Sequence, residues 1–203
     1  GKVQSAPYEL LVVANKDWLK TEAGQKLVEI VEAPISGLPQ REGNFRVTYV
    51  NPEAFKGVFQ FYANILVVKV DMKHEESRMT LEKDLYARPQ VVEGLYAPTD
   101  WAFVRLLEAH KKDILRHFNE NEFARERKFL EKNYNGAVMA QVKKQFGVSI
   151  NVPQDVDDMK IGENFLWASA SKKDFQQNLC IYTLPWSNNL SFEDVRDSVM
   201  KKL

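Results

Sequence analysis

An α+β fold, a mixed β-sheet with helices packed on it, follows from three features of the 203-residue sequence. First, short runs rich in β-branched, leucine and aromatic residues at 8–14, 45–50 and 65–70 have strand length and are bounded by turn formers. Second, apolar residues recur at helical spacing between them, and strands joined by helices run parallel. Third, residues 165–170 and 179–184 are two apolar runs placed to form a hairpin, which requires an antiparallel pair. Both kinds of pairing in one chain make a mixed sheet.

The first strand, 8–14, is apolar at consecutive positions and is expected to be buried on both faces. Asn15-Lys16-Asp17 stops it, and Asp17 is placed to cap a helix with Leu19, Ala23, Leu27, Ile30 and Val31 on one face. Pro34 and Gly37 end that helix. After a loop with Pro39 and Gly43 comes strand 45–50. Asn51-Pro52 then starts a short helix with Phe55, Val58, Phe59 and Tyr62 on its apolar face. Asn64 breaks it before strand 65–70, and the polar stretch 72–80 reads as a surface loop. Residues 85–86 and 91–96 flank Arg88-Pro89-Gln90, where proline implies a strand edge or a break between two short strands.

Pro98-Thr99-Asp100 opens a long helix with Trp101, Val104, Leu107, Ile114, Leu115 and Phe118 inward. Asn119 with Glu122 has the form of a capping box for the next helix, which carries Phe123, Leu130, Val138, Val142 and Phe146 and ends at Gly147. Strands are expected at 148–152 and 165–170, the latter paired with 179–184. Ser191 starts a last helix that reaches Lys201-Lys202-Leu203 without Gly or Pro, which is read as a chain cut short.

Two segments echo each other. An apolar strand, a break and Asp-Trp opening an amphipathic helix occur at 8–18 and again at 91–101, with Asp17 and Asp100 both in capping position. The spacing from Tyr8 to Trp18 equals that from Val91 to Trp101. One domain, 1–203, with pseudo-repeat halves 7–71 and 85–186 is the expected organisation, and chance likeness of two strand–helix units is the alternative.

Charge and composition narrow the function. Lys plus Arg and Asp plus Glu number 28 each, so there is no basic excess to neutralise phosphates and no nucleic acid is expected as partner. No apolar run has the roughly 18–20 residues that span a bilayer. Cys180, alone in the chain, rules out an internal disulfide and reads as a buried, inert thiol. There is no phosphate-cradling glycine loop, no Gly-x-Ser-x-Gly elbow and no His-Glu-x-x-His helix.

His110 and His117 share a helix but stand about 10.5 Å apart along its axis, too far to share a metal. Both are expected as satisfied surface or boundary histidines, and His74, beside Glu75 and Glu76, as a solvated one. Asp155, Asp157 and Asp158 lack the register of a calcium loop and are read as caps of a short helical turn. No catalytic residue, metal ligand or cofactor is assigned. Trp167, Tyr182 and Trp186 are the candidate ligand-binding residues, since aromatics on an open sheet face stack on sugars or on a partner protein; burial in the core is the competing reading. Asn189-Leu190-Ser191 is a glycosylation sequon only in a eukaryotic secretory setting.

Six stretches carry a resemblance to a known family: Pro7-Tyr8-Glu9-Leu10-Leu11-Val12-Val13-Ala14, Ala87-Arg88-Pro89-Gln90-Val91-Val92, Ala97-Pro98, the helix 121–127, Phe165-Leu166-Trp167-Ala168-Ser169 and Asp197-Ser198-Val199-Met200-Lys201. They resemble a family of Bacteroides-type lipoproteins known as a domain of unknown function. That resemblance implies an exported protein, lipid-anchored in the bacterial cell envelope on the periplasmic or outer-membrane side, through an acylated cysteine and a signal peptide that this chain does not contain. It also implies a longer C-terminus, and it supplies no catalytic residues. The expected function is a non-catalytic envelope module that binds a protein, a glycan or a lipid. The alternative is a hydrolase whose active site is assembled only in three dimensions.

Overall fold

The computed structural model describes residues 1–171, 176–185 and 189–201. The fold is α+β, and the chain divides into two compact units, Gly1–Arg125 and Glu126–Leu203.

The first unit is built on a five-stranded sheet in the order β2-β1-β3-β5-β4. β1 (Glu9–Val13), β2 (Arg46–Val50), β3 (Asn64–Val70) and β5 (Val91–Ala97) run parallel, and β4 (Arg78–Lys83) closes one edge antiparallel to β5. Leu10, Val12, Leu66, Val68 and Leu95 point to one face, under α1 (Glu22–Val31), α2 (Asp100–His110) and the first part of α3 (Ile114–Leu130). Leu11, Val13, Ile65 and Val92 point to the other, under Phe55, Phe59 and Tyr62. A strand buried on both faces must be apolar at every position, which is why 8–14 reads as it does.

Several local expectations are corrected. α1 is capped by Thr21, whose hydroxyl accepts from the Gly24 N–H at 3.2 Å; Asp17 instead heads a 3-10 turn, Trp18–Lys20, and makes no capping bond. Thr99, rather than Asp100, caps α2. The helix expected after Asn51-Pro52 is two 3-10 turns, Pro52–Ala54 and Gly57–Phe61, because Gly57, at a φ of 59°, interrupts a continuous right-handed α-helix. The stretch 72–80 runs into β4, a strand that the charged side chains of an exposed edge had hidden. The long helix breaks at 111–113, earlier than expected, and Asn119 and Glu122 lie inside α3 rather than capping it. Trp101, expected inward, is 69% exposed.

The second unit pairs α4 (Gly136–Phe146) with an antiparallel sheet in the order β6-β7-β8. Asn135 caps α4, accepting from the Ala137 and Val138 N–H groups, and Gly147 ends it at a φ of 72°. The hairpin expected near the C-terminus is present as β7 (Phe165–Ser171) and β8 (Gln176–Tyr182). Residues 148–152 form no strand; β6 (Asp158–Ile161) takes the third place, so the Asp155–Asp158 carboxylates lead into a strand and not a helical turn. Val138, Val142, Val152, Val156, Leu166, Ala168 and Ala170 form the core. Ser191 starts α5 (Phe192–Met200) with a reciprocal capping box to Asp194.

Candidate functional site

Strand alternation decides what the second unit presents. Leu166, Ala168 and Ala170 are buried, so Phe165 and Trp167 face away from the core, and register sets Tyr182 opposite Phe165 and Cys180 opposite Trp167. The Phe165 and Tyr182 rings stack, with centroids 5.9 Å apart and planes at 24°. From β6, Lys160 lies opposite Trp167 and sets its ammonium 5.3 Å from the centre of the indole.

Together with Asn164, Thr183 and Pro185, these side chains line a recess of about 590 Å³. Its rim is fixed by the turn between β6 and β7. Gly162 donates to the Phe165 carbonyl at 2.9 Å, and Gln145 of α4 donates to the Gly162 carbonyl at 2.7 Å. A Cβ at Gly162 would come within 2.0 Å of the Phe165 ring, so the platform needs glycine there. Two of the three aromatic candidates, Trp167 and Tyr182, are therefore brought together, neither of them buried in the core; Trp186 lies outside the described residues. Lys160 and Asn164 were not foreseen, because β6 and the turn after it were not; Phe165 lies in the expected strand 165–170 but was not singled out. The Cys180 thiol is half-buried on the same face, and burial pushes its pKa up, away from the thiolate form.

The first unit holds a second cluster that the sequence concealed. Glu93, in the middle of β5 between Leu66 and Leu81, is fully buried. Its Oε1 bonds Nδ1 of His117 on α3, and its Oε2 is buried without a partner. Arg116 sets a guanidinium nitrogen 3.3 Å from His117 Nε2 and is itself held by Asp113 and Glu120. Burial pushes the Glu93 carboxyl up to about 9, Asp113 adding to the shift and Arg116 opposing it. Burial and the Arg116 charge pull the His117 imidazole below its ordinary value. His117 also lines a cavity of about 280 Å³, with Lys83, Asp84, Glu120 and Asn121 among apolar neighbours such as Leu81 and Val91. A lone acid in the run Val91-Val92-Glu93-Gly94-Leu95 was the available signal.

His74, expected to be solvated, packs its ring 5.3 Å from Tyr96 and buries Nε2 without a partner. A third polar cluster is structural: Glu122, buried within α3, accepts from Asn64 at 2.6 Å and pairs with Arg125, while Asn121 donates to Asn64 at 2.9 Å. Among the described residues, no group of three or more His, Cys, Asp or Glu side chains converges to hold a metal. No helix among them is long and apolar enough to cross a membrane.

Fold and sites thus define an α+β protein of two units, one with an open aromatic recess and one with a buried acid–imidazole pair. Residues 4–135, more than half of the chain, match the family described as Domain of unknown function (DUF8532), and the chain belongs to that family. Residues 135–203 match a second, Domain of unknown function (DUF4837). No curated protein and no solved structure matches the chain.

Proposed function

We propose that this chain is a non-catalytic binding module of the bacterial cell envelope, exported and lipid-anchored, which holds a glycan in the aromatic recess of its second unit. The envelope setting rests on the lipoprotein resemblance of the six quoted stretches. The recess carries the binding reading: stacked Phe165 and Tyr182, Trp167 beside them, and hydrogen-bonding Lys160, Asn164 and Thr183 in one cavity of about 590 Å³. Sugar rings offer apolar C–H faces to aromatic rings and hydroxyls to polar groups, and this lining supplies both. An acyl chain would leave the Lys160, Asn164 and Thr183 groups unsatisfied. Titrating the protein with soluble polysaccharides tests the reading: binding that Trp167→Ala abolishes supports it, and binding that the variant retains in full refutes it.

A second reading, a hydrolase assembled only in three dimensions, draws on the carboxyl-held imidazole of His117 beside its cavity, an arrangement suited to a general base. It ranks below binding because Arg116 occupies Nε2 and no hydroxyl or thiol lines that cavity among the described residues. Hydrolysis of a nitrophenyl ester that His117→Gln abolishes would reverse the ranking.

A further inference from the structure

We propose that the Glu93–His117 pair is a proton-binding site that couples the docking of α3 on the sheet to the pH of the surroundings. Arg116 can only donate, so His117 Nε2 accepts from it, and the neutral imidazole then carries its proton on Nδ1, pointed at Glu93 Oε1. The second carboxyl oxygen, Oε2, is sealed from water with no partner. A proton on Oε2 leaves the buried carboxyl neutral; its loss leaves a full charge inside the sheet, facing a neutral ring.

The charged groups around the pair do not supply the missing cation. Asp113, in the turn before α3, pushes the same way as burial. Arg116 opposes it, but its guanidinium bonds Asp113, Glu120 and His117 and not Glu93. Lys83 on β4 is felt at His117. The charge is relieved when the first turns of α3 lift and water reaches Oε2. Those turns carry Ile114 and Phe118, both fully buried in the core, so the proton and the docking are linked.

The direction follows from proton counting. Above the ordinary carboxylate range an undocked Glu93 has released the proton that the docked one still holds, so docking weakens as pH rises toward 9. Below about 6.5, an undocked His117 gains the proton that the docked one refuses; the two effects cancel there and the dependence flattens.

Amide hydrogen exchange of residues 114–125 at pH 6.5, 7.5 and 8.5, expressed as protection factors, tests this in the intact chain. One fully linked proton changes protection about tenfold per pH unit. We expect protection of these amides to fall about tenfold or more across the series in the wild type and to stay level in Glu93→Gln. A level wild type, or an equal fall in the variant, overturns the proposal. Should Glu93→Gln not fold, the wild-type carboxyl carbon signal of Glu93 serves: a midpoint well above the ordinary carboxylate range supports the proposal, and one near 4.5 overturns it.

Discussion

Glu93 shows how one residue can govern the response of a fold to its solution. Its ordinary pKa of 4.5 becomes about 9 in the sheet, chiefly through burial, so across that interval the folded chain holds a proton that the unfolded chain has given up. Stability therefore falls with rising pH in the window above the His117 titration. Replacing the carboxyl by a neutral amide should stabilise the chain at pH 8.5 relative to pH 6 by about 1–3 kcal/mol, read by urea unfolding of Glu93→Gln beside wild type at both pH values. Gly24 is constrained differently. A Cβ there would stand 2.4 Å from the Trp18 carbonyl, so Gly24→Ala must push α1 off its 3-10 turn, lowering stability by about 1–3 kcal/mol in the same assay. Glu93 was visible in the sequence as a lone acid within an apolar strand. Its partner was not, because His117 lies on a helix and only tertiary packing brings the two together.

At the scale of elements, α3 is fastened to β3 by polar as well as apolar contacts. Glu122 accepts from Asn64 and pairs with Arg125. Glu122→Ala would remove the buried carboxylate that accepts from Asn64 and Arg125, leaving Asn64 its bonds to Glu9 and Asn121 and Arg125 its bond to Ser5, at a cost of about 2 kcal/mol, whereas Arg116→Ala, on the solvent side, should cost under about 1 kcal/mol; thermal unfolding of the two variants separates them. Strands β1 and β3 were legible because burial on both faces demands unbroken apolar runs. β4 and β6 were not, since edge strands with exposed faces carry polar side chains that read as loop. The helix boundaries failed for a related reason. Asn119 and Glu122 match a capping box by type and spacing, yet Glu122 is used as a buried partner of Asn64, so the pattern was present and the role was different.

For the whole molecule, the two compact units and the two matched families divide the chain at neighbouring places, after Arg125 and at residue 135. Separate profiles meeting there suit two units with separate cores and, in the reading offered above, separate roles. The pattern of apolar runs conveyed the α+β class and the aromatic wealth of the C-terminal hairpin, but not which face of that hairpin the rings occupy. Only the register of β7 with β8 sets Phe165 against Tyr182, and only β6 brings Lys160 to Trp167. The measurement that bears most directly on the binding role is calorimetric titration of wild type and Trp167→Ala with polygalacturonate, xylan and solubilised peptidoglycan. The account predicts that the wild type binds at least one of them, that the variant binds it at least about tenfold more weakly, a loss of about 1.4 kcal/mol, and that both melt at the same temperature. No binding to any of the three, or equal binding by both proteins, would contradict it.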